Sequence, residues 1–315
     1  MNKKAQIRDH GGGLDAAIAQ YGGQRDGWLD LSTGINPEPY PVGAIHPRAW
    51  EILPDKGAFD ALEAAARRFW SVPDGAAVLA APGASALIAR IPTLRPPARA
   101  VIAGPTYNEH AAAFRAQGWH VCDDGEGAAR VIVHPNNPDG HAWRTPAFSQ
   151  RLTVIDESFC DVDPQASHIQ AAARPGTLIL KSFGKFWGLA GLRLGFAIGD
   201  AALIAQLRES IGPWQVSGPA LEIGARALAD HNWADQTRRR LVQDAARLDG
   251  LMINKGAALV GGTSLFRLYD VGDASAWRDR LAKGHIWSRI FPYSDRWVRL
   301  GLPPAAGWTQ LEATI

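Results

Sequence analysis

The segment Lys181-Ser182-Phe183-Gly184-Lys185-Phe186-Trp187-Gly188-Leu189-Ala190-Gly191-Leu192-Arg193-Leu194-Gly195 decides how the chain is read. It begins where one apolar run, 177–180, ends, and it leads into another, Leu194–Ile198, through a glycine-rich turn. Outward toward the N-terminus, further short apolar runs stand at 152–155, 130–133, 99–103 and 77–80. Stretches of helical period at 58–70, 84–91, 107–117 and 144–151 alternate with them. Short strands separated by helix-length crossovers predict an α/β fold with a mostly parallel sheet flanked by helices.

Beyond this core the texture changes. Helical patterns at 201–211, 217–230 and 233–252 precede short strands at 264–269, 286–290 and 297–300, with a helix at 274–283, which predicts a smaller α+β C-terminal domain. Ahead of the core lie Gly11-Gly12-Gly13, an amphipathic stretch at Leu14–Tyr21 and the proline-dense Leu29–Pro41, read as an extended arm. The expected division is an N-terminal arm at 1–41, a large domain at 42–212 and a small domain at 213–315.

Composition narrows the function. At 315 residues and 46% hydrophobic, the chain can bury a substantial core. Lys+Arg 33 against Asp+Glu 31 is too balanced for a nucleic-acid binder, and Arg238-Arg239-Arg240 reads as a solvated helix face. Cys122 and Cys160, the only cysteines, lack the spacing of a zinc site, and the nine histidines form no i, i+4 metal pair, so no metal is expected. No apolar run approaches a membrane span and the N-terminus lacks a signal-peptide pattern, so the expectation is a cytoplasmic protein without membrane or nucleic-acid partners. Twelve tryptophans with 20% charged residues hint at surface covered by another subunit.

In open α/β sheets ligands bind beyond the carboxyl ends of the strands. Tyr107, Asn137, Asp156 and Lys185 each fall at or just past such an end, which places four chemically useful side chains on one rim. Lysine is scarce here, seven beside 26 arginines, so a lysine between a strand end and a glycine-rich turn stands out from ordinary surface lysines. Phe186 occupies the position where a phosphate-binding P-loop needs Ser or Thr, which excludes that motif. A desolvated lysine can condense with an aldehyde, and a hydroxyl and a guanidinium, Ser182 and Arg193, suit a phosphate. Aldehyde plus phosphate points to pyridoxal 5'-phosphate. Gly83-Ala84-Ser85 opens a helix after the 77–80 strand, where exposed N–H groups favour phosphate, although small residues begin many helices.

The pattern Ser-x-x-Lys-x-Trp-Gly-Leu-Ala-Gly-Leu-Arg-Leu-Gly resembles the lysine segment of fold-type I pyridoxal-phosphate enzymes of the aminotransferase class I/II group. His134-Pro135-Asn136-Asn137-Pro138-Asp139-Gly140 and Val154-Ile155-Asp156-Glu157-Ser158-Phe159 match two more of its motifs in order and spacing. The resemblance implies that Lys185 bonds the cofactor aldehyde and that Asp156 pairs with the pyridine nitrogen. It further implies that Asn137 meets the phenolic oxygen, that Tyr107 stacks on the ring, and that Gly83, Ala84, Ser85, Ser182 and Arg193 hold the phosphate. The residue-level alternatives are a strand-end turn for Asp156, a loop asparagine for Asn137 and core packing for Tyr107. Two positions depart from the group: Phe159 stands where many members carry a tyrosine, and so does Phe59.

His10-Gly11-Gly12 and the arm Leu29-Asp30-Leu31-Ser32-Thr33-Gly34-Ile35-Asn36-Pro37 resemble the branch of this group that decarboxylates L-threonine O-3-phosphate to 1-aminopropan-2-yl phosphate, for the aminopropanol arm of cobalamin. That resemblance implies His10, Gly11 and Asn36 at the substrate, with His10 as a tail residue the equal alternative. Arg299, in Trp297-Val298-Arg299-Leu300-Gly301, resembles the arginine that clamps the substrate carboxylate, and Arg289 a second substrate-facing arginine or a solvent-face residue. Gly34 replaces an asparagine of better-known members. A homodimer is implied, and the alternative activity is an aminotransferase on a phosphorylated substrate, similar to histidinol-phosphate aminotransferase.

Overall fold

The computed structural model describes residues 9–144, 146–149 and 151–315. In chain order the first elements are α1 (Leu14–Tyr21), β1 (Leu29–Asp30), α2 (Arg48–Glu51), α3 (Lys56–Trp70), β2 (Ala77–Ala81), α4 (Ala84–Arg90), β3 (Arg99–Val101), α5 (Asn108–Ala116) and β4 (His120–Cys122). Next come β5 (Ala129–Val133), β6 (Leu152–Asp156), β7 (Thr177–Ser182), β8 (Gly195–Gly199), α6 (Ala201–Ile211), α7 (Gly218–Ala229) and α8 (His231–Asn254). The chain ends with β9 (Ala258–Thr263), β10 (Phe266–Asp270), α9 (Ala274–Lys283), β11 (Ile286–Trp287), β12 (Arg289–Phe291), β13 (Ser294–Gly301) and α10 (Trp308–Thr314). Among the described residues no helix is long and apolar enough to cross a membrane.

Two compact units divide the chain: a sheet unit, Pro39–Arg239, and a terminal unit that joins the N-terminal residues through Glu38 to Arg240–Ile315. The sheet unit holds seven strands in the order β2-β8-β7-β6-β5-β3-β4. Neighbours pair in parallel except around β8, which runs antiparallel to both β2 and β7. Leu178, Ile179 and Leu180 of β7 are fully buried, as a strand covered on both faces requires. One face packs Leu79, Leu87, Phe114, Val154, Leu180 and Leu207 into a continuous core.

Polar residues anchor the middle of the same sheet. Lys181 of β7 is buried with its Nζ 2.6 Å from Glu157 Oε2 and 3.5 Å from Asp161 Oδ1. The Ser167 hydroxyl and the His168 N–H donate to Glu157, and the Trp70 and Trp187 indoles donate to Asp161 at 2.9 and 3.1 Å, so each carboxylate meets two donors besides Lys181. Burial pulls the Glu157 carboxyl up and burial pulls Lys181 down, yet their mutual attraction wins and keeps both groups ionised. Lys181→Met should therefore cost about 3–5 kcal/mol in denaturant unfolding, because two buried carboxylates lose their cation. A cost below 1 kcal/mol would show that the pair is not needed.

The terminal unit contains the antiparallel sheet β12-β13-β10-β9 and a parallel pair, β1 with β11, in which Leu29 lies opposite Ile286 and Asp30 opposite Trp287. Leu14, Ala17, Trp28 and Ala282 form a small core with Ile18, Tyr21 and Trp287 against it.

Three expectations are corrected. Described residues of 144–151 form no helix: Pro146 lacks an N–H to donate, and the Ser149 hydroxyl lies 2.8 Å from the Ala128 carbonyl, tying the segment to the start of β5. Thr145 and Gln150 lie outside the described residues. The boundary expected at 212/213 falls at 239/240. Residues 213–239 stay with the sheet because Trp233 stacks on Trp187 at 5.3 Å and Arg238 Nε donates to the Asp161 carbonyl at 2.9 Å. The arm is no separate piece, since its β1 is hydrogen-bonded into the terminal unit.

Candidate active site

The carboxyl ends of the parallel strands build one cavity in the sheet unit, about 670 Å³ with its mouth included. Ala84, Ser85, Tyr107, Asn137, Asp156, Ser182, Lys185 and Arg193 all line it, together with Ser158 and Phe159. Asp156 ends β6 and Ser182 ends β7, while Asn137 follows β5. Topology therefore converges residues that the sequence spreads over more than a hundred positions.

Asp156 is the electrostatic centre. Its Oδ1 accepts from the Ser158 N–H at 3.0 Å and the Ser158 hydroxyl at 2.5 Å, and its Oδ2 lies 2.7 Å from His110 Nε2. Burial drives this carboxyl upward, but the contacts from His110 and Ser158 outweigh it and hold Asp156 below the usual carboxylate range. The result is a buried, fixed negative charge at the cavity wall, where a cationic ring nitrogen would be stabilised. His110 is absent from the sequence-level site. The signal was available: three residues after Tyr107 on α5, it shares that residue's helix face, and the two rings meet edge to face at 6.1 Å.

Lys185 sits in the loop between β7 and β8, its Nζ 5.1 Å from the centre of the Phe159 ring. The Phe159 ring thus faces the amine. Two residues on, Trp187 is fully buried between Phe183 and Trp233, stacked at 5.1 and 5.3 Å, with its indole N–H on Asp161. That packing fixes the loop from beneath. Asn136 accepts from the Thr106 hydroxyl at 2.7 Å and donates to the Pro105 carbonyl and Asp139, which ties the Asn137 loop to the turn carrying Tyr107.

Gly83, the start of α4 and Arg193 meet at one end of the cavity lining. A Cβ on Gly83 would stand 2.6 Å from Arg193 Nη2, so the absence of a side chain is what lets the guanidinium lie over the start of α4. Gly195 holds the other side of the turn, where a Cβ would stand 2.4 Å from the Ala84 nitrogen and 2.8 Å from the Gly83 carbonyl carbon. Gly195→Ala is expected to weaken binding of pyridoxal phosphate about tenfold or more, read by fluorescence titration, because backbone atoms must move. Unchanged affinity would mean the turn does not hold the phosphate.

The residues expected at the substrate lie in the terminal unit. Arg289 and Arg299 are cross-strand partners on β12 and β13. Arg299 is buried, donates to the Ser32 carbonyl at 2.7 Å, and is pushed down to about 10 by burial and then by Arg289. Arg289 forms an ion pair with Asp9. Gly11 is half-buried next to an exposed His10, and buried Asn36 accepts from Arg240 Nη2 at 2.6 Å. His134, Glu157 and Cys160 bring three metal-ligand types within 4.8 Å of one another. Their lone pairs are committed: His134 Nδ1 accepts from the Trp143 N–H while its Nε2 meets the Ala166 carbonyl, and Lys181 holds Glu157. Burial pushes the Cys160 thiol up, toward its neutral form.

Comparison with known proteins agrees with this architecture. Residues 126–311 match the family described as aminotransferase class I and II. A threonine-phosphate decarboxylase from Sinorhizobium sp is 40% identical, covering 94% of each chain, and one from Pseudomonas aeruginosa is 37% identical over 98% of this chain and 97% of its own. The crystal structure of a histidinol-phosphate aminotransferase from Sinorhizobium meliloti, in complex with pyridoxal-5'-phosphate, superposes with a TM-score of 0.80 at 18% identity, covering 99% of this chain and 97% of that one. With its sheet, its lysine loop and its buried aspartate in place, the chain belongs to the aminotransferase class I and II family.

Proposed function

We propose that the protein is a pyridoxal-phosphate-dependent decarboxylase that converts L-threonine O-3-phosphate to 1-aminopropan-2-yl phosphate and carbon dioxide, for the aminopropanol arm of cobalamin. The observation that carries this reading is the near full-length similarity to two enzymes named threonine-phosphate decarboxylase. Lys185 would bond the cofactor aldehyde, Asp156 would keep the ring nitrogen protonated, Asn137 would meet the phenolic oxygen, and Tyr107 would cover the ring. Gly83, Ala84, Ser85, Ser182 and Arg193 hold the phosphate. When bound, pyridoxal phosphate supplies a ring that accepts the electron pair released at the substrate α-carbon.

The chain's own residues set which bond breaks. Two arginines, Arg289 and Arg299, suit a substrate with two anionic groups, with His10, Gly11 and Asn36 completing its surroundings. The arginines would orient the substrate carboxylate for loss of carbon dioxide, and the Lys185 ammonium or a water would deliver a proton to the α-carbon. Positioning of this kind is worth several orders of magnitude in rate.

The test is carbon dioxide release from L-threonine O-3-phosphate by the loaded enzyme without any keto acid. Release supports the decarboxylase. No release, with 2-oxoglutarate-dependent conversion of a phosphorylated amine or amino acid, replaces it with the aminotransferase.

The same reading makes the protein a cytoplasmic homodimer that acts on a small phosphorylated amino acid. Trp50, Leu53 and Ile52 are 70%, 62% and 46% exposed, an apolar surface suited to a second copy. Light scattering should give about twice 33.9 kDa, and a Trp50→Glu, Leu53→Glu variant should give the monomer. A monomeric wild type would sink the dimer.

A further inference from the structure

Arg289 and Arg299 are an unusual pair to place side by side. They lie directly opposite each other on adjacent strands, with the Arg289 side chain 12% exposed and Arg299 5% exposed. Like charges brought together away from water favour a bound anion. Asp9 supplies one: Arg289 Nη1 meets its Oδ1 at 2.8 Å and Nη2 its Oδ2 at 2.7 Å. This is the two-bond fork by which arginine takes a carboxylate or phosphate from a ligand. The Asp9 side chain is 44% exposed, so the fork can be exchanged with solution.

The stretch that carries Asp9 is strapped to the terminal unit. The Gly12 N–H donates to the Ser32 hydroxyl at 2.6 Å, that hydroxyl donates to Asp30 at 2.5 Å, and the Trp287 indole donates to the Gly12 carbonyl at 2.9 Å. Arg299 in turn donates to the Ser32 carbonyl. Asp9 is thereby kept close to Arg289 at a high effective concentration, without being buried with it.

We propose that Asp9 is a specificity-determining residue, an internal counter-ion that occupies Arg289 until a substrate bearing a phosphate displaces it. The inference rests on the reading of Arg289 as a substrate-anion residue. A small solution anion offers a single point of contact and loses to the tethered carboxylate. A substrate with a second anionic group gains the neighbouring Arg299 as well and wins. Asp9 thus keeps adventitious anions off the arginine pair at the expense of some substrate affinity.

The experiment is calorimetric titration of inorganic phosphate into enzyme loaded with pyridoxal phosphate, so that the cofactor's own phosphate corner is filled. Asp9→Asn should bind phosphate about three- to tenfold more tightly than wild type, and its KM for L-threonine O-3-phosphate should fall by a similar factor. Asp9→Glu should stay near wild type. Arg289→Gln should bind weakly, and adding Asp9→Asn to it should restore nothing, which shows that Asp9 acts through Arg289. If Asp9→Asn binds phosphate no better than wild type while Arg289→Gln binds weakly, the counter-ion role fails and the anion site stands. If Arg289→Gln binds like wild type, Arg289 leaves the anion site and the inference falls with it.

Discussion

Lys185→Ala, loaded with pyridoxal phosphate and given L-threonine O-3-phosphate, should release carbon dioxide at least about 10⁴-fold more slowly than wild type. Under the proposed reading Lys185 would do two things at one atom: its Nζ would hold the cofactor aldehyde, and it would carry a proton to the α-carbon. Alanine removes both. The loss should not come from misfolding, because the loop is anchored two residues away by Trp187, stacked on Phe183 and Trp233 and bonded to Asp161. Wild-type and variant protein should therefore unfold within a few degrees of each other. A primary amine such as methylamine should restore part of the rate in the variant, since the missing group is a proton-carrying amine. Full activity in Lys185→Ala would remove the lysine from the chemistry, and equal loss of stability and rate would reduce it to a structural part.

The second large effect belongs to Asp156. Asp156→Ala should lower the decarboxylation rate by about two to three orders of magnitude, as expected when a buried charge pair loses one member. The wild-type carboxyl is held below its ordinary range, chiefly by His110 and Ser158 working against burial. A depressed folded value means that the charged form, and the stability it contributes, is complete above about pH 4 and is lost only as pH falls further. The rate should consequently show no acid limb from Asp156 above about pH 4. His110→Ala should cost about tenfold in the wild-type background and almost nothing in Asp156→Ala, because it acts through that carboxylate. Independent, additive losses would show that His110 serves another purpose.

Much of the cavity is legible in the sequence because its residues sit where strands stop. The apolar runs 152–155 and 177–180 mark strands, and Asp156 and Ser182 fall at or just past their carboxyl ends, where a ligand rim forms. His110 is harder to see because its role depends on a partner 46 positions away, which only the packing of α5 against the sheet brings within reach. Strand β9 is missed for a different reason: in Ala258–Thr263 a short apolar stretch breaks off at Gly261-Gly262 and the side chains before it are exposed, so there is no alternation to read. Strand β4 spans only three residues and offers too little pattern to read. The unit boundary at 239/240 is invisible in composition because it falls inside α8, whose first part is held by aromatic stacking rather than by any change in texture.

The terminal unit is assembled from both ends of the chain, with Gly12 and Trp287 bonded across 275 positions. A polypeptide made from its N-terminus therefore presents β1 unpaired until synthesis has reached Ile286 and Trp287, which receive it. The sheet unit, continuous from Pro39 to Arg239, can complete its pairing during that interval. Truncation at either end should leave the same unit unfinished, and a circular permutant that joins the two termini would turn its most distant contacts into local ones.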